Sequence, residues 1–242
     1  MATSPRQHSP LSLPPQGDIH LLLVRLSSIT GVDQAPTILS PDELARANRL
    51  LCHEARERFI AGRLFLRRSL GRCLGLNPAG ILLVVNEWGK PRLGGEQAAS
   101  GLCFNLAHTD DWAILALSQG CEVGVDIELV REELEFGPMA RRFFSACERE
   151  QLFGLAQEQQ LSAFYCCWTR KEAYLKGVGC GLSLPTDSFD VSLLPGHAPR
   201  LMEQRRDPAE IDRWSLADIP LPPGLCGALA VKGSIGAVRF ID

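Results

Sequence analysis

The sequence predicts an α+β protein built as a pseudo-dimer of two similar α/β subdomains, residues 18–120 and 121–242. Three observations predict it. An apolar strand, a Ser-capped helix, a long helix and further strands occur in that order twice. Both capped helices open on a capping box, Ser40-Pro41-Asp42-Glu43 and Ser145-Ala146-Cys147-Glu148. The chain has 242 residues, 45% hydrophobic and 22% charged, which suits one large domain or two modest ones with a real core.

Taken in order, residues 1–17 are rich in Ser, Pro and Gln and read as a disordered or loosely attached leader. Ile19–Leu26 is an apolar run of strand length. The helix starting after Ser40 runs, with a break near Cys52-His53, to about Leu74, where Gly75 and Asn77-Pro78 end it. Ile81–Val85 reads as a strand before a turn at Trp88-Gly89-Lys90-Pro91. Leu102–Leu106 and Trp112–Ser118 flank a tight connection at His108–Asp111. After a boundary near Gln119–Glu122 the pattern restarts with a strand at Val123–Val130. A helix capped by Ser145 and a long helix ending near Gly177 and Gly179 follow. Ser188–Leu193, a polar loop near 195–208, and strands at Asp212–Ala217 and Cys226–Val231 complete it.

Composition narrows the function. Residues 1–120 carry 12 Lys+Arg against 10 Asp+Glu, and residues 121–242 carry 13 against 18, with a net charge of −3 overall. Eight arginines (Arg46, Arg49, Arg56, Arg58, Arg63, Arg67, Arg68 and Arg72) lie along the first-half helices and read as a positive surface for a polyanion. No aromatic interleaving or reader motif makes that polyanion a nucleic acid, so a phosphate-rich small molecule fits better. Nine cysteines include no C-x-x-C and no zinc spacing, which reads as reduced thiols of a cytoplasmic protein. No apolar run is long enough to span a membrane, and prolines at 10, 14 and 15 interrupt any signal-type core.

Two stretches carry chemistry. Trp168, Glu172 and Lys176 are spaced i, i+4, i+8 and stack along one helix face. Alone, such a face is an exposed Glu–Lys pair. In Gly124-Val125-Asp126-Ile127-Glu128 the period-2 geometry of a strand puts both carboxylates on one face. Alone, these are solvated acids; with Glu172 as a third acid they suit a hard divalent cation. His108 closes an apolar strand, and Lys90 sits in a turn; each alone is an ordinary structural residue.

The order of these pieces carries a resemblance. Gly89-Lys90-Pro91 comes first, then Phe104-Asn105-Leu106-Ala107-His108 with Trp112, then Gly124–Glu128. Phe143-Phe144-Ser145 with Glu148, Trp168-Thr169-Arg170-Lys171-Glu172-Ala173 with Lys176, and Gly181-Leu182-Ser183-Leu184-Pro185 follow. Over residues 40–192 the chain resembles the Sfp-type 4′-phosphopantetheinyl transferases. The resemblance implies the family's pseudo-dimeric fold, with coenzyme A in the cleft between halves, and transfer of its 4′-phosphopantetheine arm to a serine of an acyl or peptidyl carrier protein, releasing adenosine 3′,5′-bisphosphate. By match to the motifs, Asp126, Glu128 and Glu172 would hold Mg²⁺, for which Mn²⁺ could substitute. Lys176 would meet the α-phosphate and assist the leaving group. His108 with Arg58 would hold the 3′-phosphate, with Lys90 near the adenine and phosphates and Arg46 at the adenosine end. Glu172 or a water on the metal would take the serine proton. Glu148 matches a family acid, although its capping-box role explains it equally well. Ala107 departs from a serine that many relatives carry there, implying weaker or differently held coenzyme A.

Two rival readings stand beside the transferase: a metal-dependent nucleotide pyrophosphohydrolase using the same acids, and a silent coenzyme A-binding protein. Carrier proteins are acidic, so the segment with Arg131, Leu134, Phe136, Met139, Arg141 and Arg142 is the expected docking patch. A chain that supplies both halves of its cleft is expected to be a monomer.

Overall fold

The computed structural model of the protein describes residues 10–242. Its first half opens with β1 (Ile19–Arg25), whose first four residues are buried. A short helix α1 (Ala35–Ile38) leads to α2 (Pro41–Arg49). The Ser40 hydroxyl accepts from the Glu43 backbone N–H, and the Glu43 carboxylate accepts from that of Ser40, so two orphan donors of the first turn are satisfied. The long helix α3 (His53–Leu74) ends on Gly75 in the left-handed region. The hairpin β2 (Leu83–Val85)/β3 (Pro91–Leu93) and the strands β4 (Leu102–Thr109) and β5 (Trp112–Gln119) complete this half.

The second half repeats the plan. β6 (Val123–Leu129) is followed by α4 (Gly137–Phe143) and by α5 (Ala146–Gly154), which carries the same reciprocal capping box from Ser145 and Glu148. The long helix α6 (Gln157–Val178), the hairpin β7 (Phe189–Val191)/β8 (Leu201–Gln204), α7 (Glu210–Arg213), β9 (Trp214–Asp218) and β10 (Leu225–Lys232) follow. The last strand, β11 (Val238–Phe240), returns to the first half and pairs parallel with β1.

Topology repeats as well as order. The sheets run β11-β1-β5-β4 and β6-β10-β9. In each half the opening strand pairs antiparallel with the closing one, whose other neighbour is the strand just before it. Alternate side chains of these strands enter different cores. Ile19, Leu21, Ile114, Val123, Val125, Ile127, Leu229 and Val231 form a layer between the two sheets. Leu22, Leu115 and Leu117 pack with Leu66 and Leu70 of α3, and Ala228 and Ala230 pack with Ala173 and Tyr174 of α6. The order of layers is therefore helix, sheet, sheet, helix, with Gly124, Asp126 and Glu128 on the β6 face opposite that inner layer.

Each capping-box glutamate also ties its short helix to its long one. Arg67 Nε donates to Glu43 Oε2 at 2.6 Å and Arg63 Nε to Oε1 at 2.6 Å, while Arg67 Nη1 reaches the carbonyls of Pro78 and Ile81. In the second half Lys171 Nζ donates to both oxygens of Glu148 at 2.7 Å and to the Phe189 carbonyl at 2.6 Å, with both side chains almost wholly buried. Buried charges persist only when paired and hydrogen-bonded, and these are.

Some expectations change. The polar loop expected near 195–208 contains β8, residues 210–213 are a helical turn where a strand was expected to begin, and α4, β3 and β11 were not anticipated. Gly177 does not stop α6; it lies within the helix, and Gly179 is the left-handed cap. The arginine run is not one free positive surface. Arg63 and Arg67 are spent on Glu43, Arg68 on the Thr30 and Gly31 carbonyls, and Arg56 on Asn48. Of the leader expected over residues 1–17, residues 1–9 lie outside the described residues. In the remainder the Leu11 N–H donates to the Arg72 carbonyl and Leu11 packs on the first-half core.

Candidate active site

The site is assembled where α6 crosses β6, and two glycines set the approach. A Cβ on Gly124 would lie 2.1 Å from the Ala173 carbonyl and 2.2 Å from the Gly177 nitrogen. Any larger residue pushes helix from strand. This contact brings Glu172 and Lys176 of α6 beside Asp126 and Glu128 of β6.

Asp126 is 4% exposed. Lys176 Nζ donates to its Oδ1 at 2.5 Å, while the buried Oδ2 has no partner. Burial pushes the Asp126 carboxyl up to about 7; the Lys176 ammonium opposes this, and the charges of Glu128 and Glu172 add to it. Burial also raises Glu172, with Glu128 adding and Lys176 opposing. Glu128 is held from two sides: Trp168 Nε1 donates to Oε1 at 3.2 Å and Thr109 Oγ1 to Oε2 at 3.2 Å. Trp168 packs on the second-half core and in addition orients an acid.

Among the described residues no three His, Cys, Asp or Glu side chains converge into a ready ligand group. Asp126 is engaged by Lys176, and Glu128 by Trp168 and Thr109. The donor set nevertheless fits a hard divalent cation, because one buried carboxylate oxygen lacks a partner, Glu128 and Glu172 raise the proton affinity of Asp126, and Glu128 raises that of Glu172.

A second group forms at the end of β4. His108 is exposed, yet its proton affinity is lowered by the protein around it and by the cations of Lys176, Arg46 and Arg58, with Glu128 opposing. Arg58 Nη2 pairs with Asp110 at 2.9 Å, and Arg46 lies over the Phe59 ring, 5.3 Å from its centroid. The three residues expected at the 3′-phosphate and adenosine end thus share one neighbourhood, on the first half, facing Lys176 of the second. Between the halves lies a cavity of about 320 Å³ lined by Trp88, Lys90, Asn105, Leu106, Glu172 and Lys176.

Lys90 does not present a free ammonium to that cavity. Its Nζ donates to Glu122 Oε2 at 2.6 Å and to the carbonyls of Gly177 at 2.7 Å and Val123 at 3.2 Å. Asn86 Nδ2 donates to the Gly179 carbonyl at 2.7 Å. The first-half hairpin therefore caps the end of α6, where carbonyls lack intrahelical donors and a cation is favoured. Asn105 Oδ1 likewise accepts from the Val125 N–H at 2.9 Å and ties β4 to β6. Sequence reasoning missed Asn86, Asn105 and Thr109, because short polar side chains in turns and strands carry no spacing signal. Glu148 is a structural anchor paired with Lys171, away from the acid cluster. In the expected docking segment Leu134, Phe136 and Met139 are half-buried against the second-half core, leaving Arg131, Arg141 and Arg142 exposed.

Comparison with known proteins bears on this geometry. A profile of the 4′-phosphopantetheinyl transferase superfamily matches residues 122–224, and one described as 4′-phosphopantetheinyl transferase, N-terminal, matches residues 28–120. The 4′-phosphopantetheinyl transferase HetI of Nostoc sp. is 36% identical over 233 residues, spanning 94% of this chain and 95% of its own. A 4′-phosphopantetheinyl transferase of Bacillus subtilis is 30% identical over 83% of this chain and 90% of its own. The Bacillus subtilis transferase Sfp is 33% identical over 65% of this chain and 67% of its own.

Proposed function

The chain belongs to the 4′-phosphopantetheinyl transferase family and is an enzyme of that class, and from this premise we propose that it moves the phosphopantetheine arm of coenzyme A, Mg²⁺-dependently, onto a carrier-protein serine. The observation that supports the reading best is the buried, unpartnered Asp126 Oδ2 beside Lys176, Glu128 and Glu172. In this reading Asp126, Glu128 and Glu172 hold the cation, for which Mn²⁺ substitutes. When bound, the cation neutralises charge on the pyrophosphate.

The chain's own residues do the rest. Arg46, Arg58 and His108 hold the 3′-phosphate end, and Lys176 leaves Asp126 for the α-phosphate. Glu172, whose proton affinity is raised by burial, is placed to take the proton of the incoming serine hydroxyl. The serine oxygen attacks the β-phosphorus, the bond to the bridging oxygen breaks, and the Lys176 ammonium offsets charge growing on the departing adenosine 3′,5′-bisphosphate. Lys90 acts by fixing the last turn of α6 on which Lys176 stands, not by holding substrate.

We read the protein as a monomer of the cytoplasm that meets an acidic carrier through Arg131, Arg141 and Arg142, with Leu134, Phe136 and Met139 beneath them. The test incubates it with coenzyme A, Mg²⁺ and an apo carrier and weighs the carrier. A phosphopantetheine mass gain, abolished by EDTA and in Glu172→Ala, is expected. Coenzyme A cleavage without carrier modification supports the hydrolase instead, and neither reaction supports the silent binder. In the same assay Arg141→Glu with Arg142→Glu raises the carrier KM and spares that of coenzyme A; an unchanged carrier KM removes the docking patch.

A further inference from the structure

The turn between β4 and β5 sets an acid against one of the cations read as holding the 3′-phosphate. Thr109 pairs with Trp112 in register, so the connection is the two residues Asp110 and Asp111. A loop that short needs a left-handed residue to match the twist of its strands. Asp110 supplies it with φ +48°, the only non-glycine in that region among the described residues. Asp is one of the few side chains that tolerate this conformation.

The residues on either side are committed elsewhere. Thr109 Oγ1 donates to Glu128 at 3.2 Å. Asp111 Oδ1 accepts from the Ser27 N–H at 2.8 Å and Oδ2 from its hydroxyl at 2.6 Å, while the Leu26 N–H donates to the Asp111 carbonyl at 2.7 Å. The turn is thereby pinned to the end of β1, and the Asp110 carboxylate meets the Arg58 guanidinium of α3 at 2.9 Å. Among the described residues this is the one ion pair that Arg58 makes, and its two side chains are 43% and 42% exposed.

We propose that Asp110 is an internal counter-anion that sets how tightly the 3′-phosphate end of coenzyme A is held: it occupies Arg58 in the empty cleft, and an incoming 3′-phosphate has to displace it. The proposal rests on the reading of Arg58 and His108 as that end of the site. An exposed carboxylate–guanidinium pair is weak, so a phosphate of higher charge and bidentate geometry displaces it. The displaced carboxylate is left beside the phosphate, where like charges repel. Both effects loosen the phosphate, and neither acts on a ligand that carries a 3′-hydroxyl. The 3′-phosphate is the same in coenzyme A and in the released bisphosphate and lies outside the bonds that form and break. Holding it harder would lower KM without raising kcat and would slow product release. Asp110 therefore keeps both molecules exchangeable.

The test measures by calorimetry, with Mg²⁺ and without carrier protein, the Kd of coenzyme A and of 3′-dephospho-coenzyme A. The proteins are the wild type, Asp110→Asn, Arg58→Gln and the double variant, all at low salt. Asn tolerates the left-handed turn as Asp does, so Asp110→Asn keeps the fold, and a thermal melt checks it. Asp110→Asn should bind coenzyme A about three- to tenfold tighter and the dephospho form unchanged, with a gain that shrinks in high salt. Arg58→Gln should weaken coenzyme A, and in its background the gain from Asp110→Asn should fall below about twofold. If Arg58→Gln weakens coenzyme A but Asp110→Asn does not tighten it, the counter-anion is overturned and the reading of the site stands. An equal gain for the dephospho form overturns it too. If Arg58→Gln leaves coenzyme A binding unchanged, the reading of the 3′-phosphate end falls and the proposal falls with it.

Discussion

α3 and α6 are both 22 residues long, both follow a capping-box helix, and both send a basic side chain from their fifteenth position into a buried glutamate. One position later they part. α3 has Arg68, spent on loop carbonyls, where α6 has Glu172; α3 has Arg72 where α6 has Lys176. The strands beneath differ in the same way, with Leu22 and Val24 of β1 standing where β6 has Asp126 and Glu128. One plan thus serves two purposes. The first half spends the helix-facing side of its opening strand on packing, while the second sets a buried acid there. The difference teaches that the repeated elements are scaffold, and that the candidate chemistry rests on four substituted positions.

Breaking the scaffold in each half should give unequal losses. Lys171→Met leaves Glu148 buried without its cation, a change that costs about 3–5 kcal/mol. Arg67→Met leaves Arg63 on Glu43, so the loss should be about half as large. Urea unfolding of both variants checks this, and equal losses would mean that the two anchors are not built as described.

The second half's departure from the plan is sharpened by Trp168→Phe, which keeps a packed ring but removes the donor to Glu128. Divalent-cation affinity should fall about tenfold with little change in stability. An unchanged affinity would make Trp168 a packing residue alone.

The first half's contribution to the cleft is tested by pH. His108 has a lowered proton affinity and is mostly neutral in the free protein at neutral pH, so holding a phosphate charged requires it to take up a proton. The KM for coenzyme A should therefore rise as pH increases from about 6 to about 8, by about fivefold, and His108→Gln should flatten the rise. The smallest effect expected is that of Ala107→Ser, which restores one hydroxyl beside His108 and should lower the same KM by about threefold.

Much of this plan is legible in the chain. Ser40 with Glu43 and Ser145 with Glu148 announce two helix starts, because a capping box needs only local residues at fixed spacing. The alternation in Val123–Leu129 places Asp126 and Glu128 on one face for the same reason. What is not legible depends on distant partners. β11 pairs with a strand some two hundred residues earlier in the chain, and three residues carry no pattern of their own. Lys90 reads as a cleft lysine until the fold brings the end of α6 to it. The arginines of α3 read as a surface until Glu43 is seen buried beneath two of them.

The central claim is that the second half holds the acids for a divalent cation and the first half does not. It is tested most directly by titrating Mn²⁺ into the protein with coenzyme A present and following free Mn²⁺ by electron paramagnetic resonance. The account predicts one tight site in the wild type, weakened at least about tenfold in Glu172→Gln and in Asp126→Asn. Tight binding that survives both substitutions would contradict it.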